Sequence, residues 1–77
     1  MRDICRLSEL GKGEIAFVSD ICPNGGMRRR LQDLGLIKGT KVTCVQKSPL
    51  GDPTAFLIRG AVIALRHEDS SCVHIVK

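Results

Sequence analysis

The side chains able to do chemistry are few. Cys5, Cys22, Cys44, Cys72, His67 and His74 are candidate metal ligands, and Arg28-Arg29-Arg30 could meet a phosphate or a carboxylate. Spacing weighs against a metal centre. The chain has no Cys-x-x-Cys and no His-x-x-x-His, the local patterns by which one turn or one helix face converges two ligands. The close pair, Cys72 and His74, is expected on one face of a strand about 6.6 Å apart along the backbone. Two ligands do not complete a site, so the cysteines read as small core hydrophobes. Cys44, in line with Val42, is expected to be buried. No resident metal and no cofactor is expected. Nor can a Ser-His-Asp set, a phosphate-cradling loop or a carboxylate pair be assembled with a motif around it. Gly25-Gly26 precedes a helical pattern as an anion nest would, but without a Gly-Lys-Thr continuation. No catalytic residue is assigned, and the chain is not expected to be an enzyme.

The arginines admit three uses: a finger for a GTPase, a nucleic-acid patch, or the solvated face of an amphipathic helix. On a helical wheel Met27, Leu31 and Leu34 form one stripe, Arg29 points away from it with Asp33 four residues on, and Arg28 and Arg30 flank it. Leu31 then belongs mainly to the core but reaches the edge of the stripe. There Arg28 and Arg30 would make a polar rim for an acidic partner. The other candidate contact is the run Ser48 to Pro53, SPLGDP, which sets one large apolar residue among turn formers. Pro49 fixes its own φ and restricts Ser48, and Gly51 lets the chain reverse. Leu50 either folds back to seal the end of the domain, adding about 1.5 to 3 kcal/mol of burial, or stands outside as a stiff knob that loses little entropy on docking; the second is the expectation, with Pro49 and Gly51 as its frame.

These residues need a scaffold. GEIAFVSDI, Gly13 to Ile21, alternates Ile15, Phe17 and Ser19 against Glu14, Ala16 and Val18 as a strand with at least one buried face, preceded by the Gly11-Lys12-Gly13 turn. Pro23, Asn24, Gly25 and Gly26 break it, with Asn24 placed to cap a helix over about residues 25–34. Gly35 is where a left-handed helix end is wanted, and Leu36 beyond it can touch Leu31 as in a Schellman ending. Thr40 to Lys47, Thr54 to Arg59 and Ala61 to Leu65 read as strands, the last two joined at Gly60 by a tight hairpin. Arg66 to Ser71 is a polar turn or a single helical turn, and Cys72 to Val76 a last strand. Five short strands and one short helix in a small chain suggest a β-barrel, which hides strand edges.

Seventy-seven residues make a single domain, 1–77, that buries roughly 60% of its unfolded surface. With no long apolar run and with acids among its first apolar residues, the chain is expected to be cytoplasmic and its thiols reduced. A net charge of +4 is mild because eight acids are dispersed among the bases. Two phenylalanines and no Trp or Tyr leave no stacking platform for single-stranded bases.

The run RRRLQDLGLIKGT, Arg28 to Thr40, followed by SPLGDP and by IRGAVIALR, Ile58 to Arg66, resembles the FeoA family, ferrous iron transport protein A. That resemblance spans most of the chain. It implies a mostly β, SH3-like barrel that acts in the bacterial cytosol as an accessory to the FeoB membrane transporter of ferrous iron, without enzymatic activity. It implies contact with the transporter's cytosolic G domain, and association with the membrane only through that partner. The same barrel closes iron-dependent repressors of the DtxR type, so a nucleic-acid-binding or repressor-type module is the alternative, although no helix-turn-helix precedes the barrel here. Partner-binding candidates are therefore Leu50, Pro49, Gly51, Leu31, Arg28 and Arg30, with no nucleic acid expected.

Overall fold

The computed structural model describes residues 4–22 and 25–77. The expected Asn24 cap lies outside the described residues. Six strands, one more than the sequence suggests, form one antiparallel sheet: β1 (Ile4–Arg6), β2 (Ile15–Ile21), β3 (Lys41–Lys47), β4 (Thr54–Ile58), β5 (Ala61–Leu65) and β6 (Val73–Val76). The order is β1-β6-β2-β3-β4-β5. β1 and β5 do not pair with each other, so the hydrogen-bonded sheet stays open and is not a closed ladder. The missed strand is short and carries no alternation of its own. Its place comes from pairing with β6, Ile4 opposite Val76 and Arg6 opposite His74. A 3-10 turn over Leu7–Glu9 follows it, and its Leu7 is buried.

Alternation decides which side of each strand faces the core. In β2 the smaller residues, Ala16 and Val18, point inward while Ile15 and Phe17 stay nearly half exposed. Val42 and Cys44 of β3 are fully buried, as are Val73 and Ile75 of β6, and Phe56 and Ile58 of β4 nearly so. Val45 falls where the β3–β4 register slips between Cys44 and Gln46, and it stays exposed. Such a bulge leaves a residue without a cross-strand partner and re-aims its side chain.

Helix α1 (Gly25–Asp33) ends as its sequence requires. Gly35 has φ +102, its N–H donates to the Gln32 carbonyl, and the Leu36 N–H donates to the Leu31 carbonyl. These are the two hydrogen bonds of a Schellman motif, and the residues of its apolar pair, Leu31 and Leu36, are both fully buried in one cluster. Leu31 is therefore core and not interface, which corrects its place among the partner-binding candidates. Met27 and Leu34 of the same stripe pack against the core and are only partly buried.

The β4–β5 hairpin turns through Arg59 (φ 49) and Gly60 (φ 85), with Ile58 opposite Ala61. Two successive positive φ values define the primed turn whose twist suits a two-residue hairpin. Gly60 adopts this freely. Arg59 does so at a cost. The polar run before β6 forms one helical turn, α2 (His67–Ser70). Asp69 and Ser70 of that turn are buried.

Candidate functional site

The Ser48–Pro53 turn sits at one end of the β3–β4 hairpin. The Gly51 N–H donates to the Ser48 carbonyl at 2.8 Å and the Ser48 N–H to the Pro53 carbonyl at 3.2 Å, so the loop is closed at its tip and at its base. The Leu50 N–H lies 3.3 Å from Ser48 Oγ. Gly51 is at φ +84, a conformation that favours glycine. No described residue covers the tip. Leu50 is 92% exposed, the most exposed large apolar residue among the described ones. The turn is an ordered pedestal for it, flanked by exposed Pro49 and Gly51.

A further bond fixes the base of the turn. Asp52 Oδ1 accepts the His67 N–H at 2.8 Å, satisfying the first donor of α2 where Arg66 supplies no side-chain cap. From the other side, Arg30 Nη2 donates to Asp69 Oδ2 at 2.8 Å. The single turn α2 is thus held at His67 by the Leu50 loop and at Asp69 by α1. It links Arg30 of α1 to the base of the Leu50 turn. The Asp69 side chain is only 3% exposed while that of Arg30 is 60% exposed. Asp69 Oδ1 is buried without a hydrogen-bond partner among the described residues. Arg30 therefore neutralises a buried acid first and presents only the remainder of its guanidinium outward, so it is not the free rim that the wheel suggests.

Arg28 is committed elsewhere. Its Nη1 donates to the Ile21 carbonyl at 2.8 Å and lies 3.6 Å from Asp20 Oδ1, which ties the first turn of α1 to the end of β2. The Asp20 carboxyl is held below its ordinary range, chiefly by the Ile21 N–H it accepts and further by the Arg28 guanidinium. Arg29 is exposed, and no ion pair joins it to Asp33 among the described residues. Of the six candidates the structure keeps Leu50, Pro49 and Gly51 together on one turn, joins Arg30 to that turn only through α2, sets Arg28 apart and buries Leu31.

Three features escape the sequence. Asp52 and Asp69 become the joints of the site through contacts 15 and 39 residues away. At the opposite end of the β3–β4 hairpin, Ile37, Lys38, Lys41, Leu57 and Arg59 line a shallow basic groove. Cys72, expected in a strand beside His74, precedes β6, and its thiol meets that of Cys22. Together with burial this contact pushes the Cys72 pKa up to about 11. Among the described residues no group of three or more His, Cys, Asp or Glu side chains is placed to hold a metal ion. No helix among them is long and apolar enough to cross a membrane.

Comparison with known proteins agrees with this architecture. The FeoA domain family matches residues 5–77. A protein of Porphyromonas gingivalis described as an Fe(2+) transport protein A/Fe(2+) transporter FeoB fusion protein is 34% identical over 70 residues. The match takes in 91% of this chain but only 8% of that protein's length. Among solved structures, a FeoA-like protein from Clostridium acetobutylicum superposes with a TM-score of 0.90 at 30% identity, covering 100% of this chain and 88% of that one. The zinc-complexed FeoA of Stenotrophomonas maltophilia, described as a prokaryotic SH3 domain protein, superposes at 0.81 with 32% identity over 91% of this chain and 87% of that one. The SH3-like reading of the fold stands, with six strands in place of five.

Proposed function

Because this chain belongs to the FeoA family, we propose that it serves bacterial ferrous iron uptake as a cytoplasmic accessory of a FeoB-type transporter, acting by protein contact and not by catalysis. The covalent joining of the two parts in the Porphyromonas gingivalis relative supports the pairing, since fusion holds two domains at a high effective concentration. The observation that carries the reading is Leu50, 92% exposed at the tip of a turn held at its base by hydrogen bonds. An apolar side chain in water stabilises nothing in the domain, whereas a preformed apolar knob is what a partner's pocket can bury with little ordering cost. Arg30, ion-paired to Asp69 and 60% exposed, is joined to the base of this turn only through α2 and is secondary to Leu50 in the reading.

The test is a titration of this chain against the cytosolic part of a FeoB-type transporter. Saturable one-to-one binding that changes little between low and high salt supports an apolar anchor. No binding at any salt concentration overturns the proposal.

A further inference from the structure

Two thiols that the iron-uptake reading does not use face each other across the end of the sheet. β2 and β6 pair antiparallel up to Ile21 opposite Val73. Just beyond the end of the ladder stand Cys22 and Cys72, and the Cys22 N–H donates to the Cys72 carbonyl at 2.8 Å, continuing the antiparallel opposition by one residue. Residues opposed in this way have Cα atoms about 4.5 to 5.5 Å apart, inside the span a disulfide requires. Both are free thiols and both are partly exposed, so a small reagent can reach them. Neither of the other cysteines is so placed: Cys44 is fully buried in the core, and Cys5 stands in β1 opposite Ile75.

We infer that Cys22 and Cys72 form a reversible disulfide, making this end of the sheet an oxidation site of the protein. The oxidant is a peroxide, or a small-molecule disulfide of the glutathione type. With hydrogen peroxide, the Cys22 sulfur attacks one oxygen, the O–O bond breaks, and a sulfenic acid and water are formed. The Cys72 sulfur then displaces hydroxide from the Cys22 sulfenic acid, its thiol proton completing the second water. Two thiols lose two electrons and two protons, and one peroxide becomes two waters. The neighbouring Cys22 sulfur and burial hold the proton on Cys72, which suits it to the resolving role in this sequence of steps. The new bond joins Cys22, just beyond the end of β2, to Cys72, which leads from α2 into β6.

The whole chain, reduced and then treated with hydrogen peroxide or oxidised glutathione, gives the test by mass spectrometry after alkylation and trypsin. The expected result is a monomer that is 2 Da lighter, with two of its four thiols no longer alkylated and with peptide 13–28 joined to peptide 67–77. Dithiothreitol restores both. Cys22→Ser and Cys72→Ser each abolish the cross-link in protein whose melting shows that it is folded. Four thiols still open to alkylation, a cross-link that involves Cys5 or Cys44, or a product linked only between molecules would overturn the inference. Because the experiment uses the isolated chain, its outcome is independent of whether a transporter is bound.

Discussion

Asp69 is a carboxylate taken almost wholly out of water, and a single guanidinium meets it. A buried charge that loses its partner retains its desolvation cost without compensation. Arg30→Ala is therefore expected to lower stability by about 1 to 3 kcal/mol in chemical denaturation, below the full cost of breaking a buried pair because Arg30 itself is largely solvated. An unchanged midpoint would mean that Asp69 has another neutralising contact. Glu14 behaves differently, since it is exposed. Its carboxyl is held below the ordinary range by the Gly11 N–H first and by Lys77 second, with Lys77 Nζ at 3.0 Å. A depressed folded pKa contributes stability that is present above the unfolded value and lost as pH falls through the folded one. Relative to Glu14→Gln, the parent is expected to be the more stable at pH 7, and this advantage disappears on acidification through the carboxylate range. Denaturation curves at pH 7 and pH 3 check the sign. Little of this was legible in the sequence: a charge pattern shows that Arg30 flanks a helix stripe, but a partner 39 residues away leaves no local trace.

At the level of elements the legible part was larger, because a helix end is a local device. Leu31, Gly35 and Leu36 satisfy a Schellman ending within six residues, and the structure forms its bonds. Leu31→Ala empties a fully buried position and loosens that ending, so a loss of about 2 to 5 kcal/mol is expected, read from thermal or denaturant unfolding. Retained stability would place Leu31 outside the core after all. Gly35→Ala introduces two conflicts, a left-handed φ of +102 and a Cβ 2.8 Å from Arg59 Cδ. The second can relax because it involves a flexible side chain, but the first cannot, so a loss of about 1 to 2 kcal/mol is expected from the backbone alone. β1 went unread for the opposite reason, since three residues carry no period and take their conformation from β6. The strand faces were half legible. Alternation in β2 separates Ala16 and Val18 from Ile15 and Phe17, but only the packed sheet shows that the smaller pair faces inward.

For the whole molecule, the open question in the sequence was the direction of Leu50, which depends on how the Ser48–Pro53 turn seats against α2. Pro49 and Gly51 announce a stiff turn; the bond from the His67 N–H to Asp52, 15 residues back, sets where it points. The dispersed net charge of +4 gives a second global expectation. If the chain acted on nucleic acid, affinity would fall with salt at a log-log slope near −0.9 for each phosphate neutralised. Binding through Leu50 is expected to show little such slope. The most direct measurement is made on Leu50→Ser, with chemical denaturation and a titration against the transporter's cytosolic part performed on the same protein. A solvated tip contributes almost nothing to folding, so stability is predicted to stay within about 0.5 kcal/mol of the parent while affinity drops by at least tenfold, as for a buried apolar anchor. Unfolding that becomes easier by more than about 1 kcal/mol with affinity intact would contradict the account.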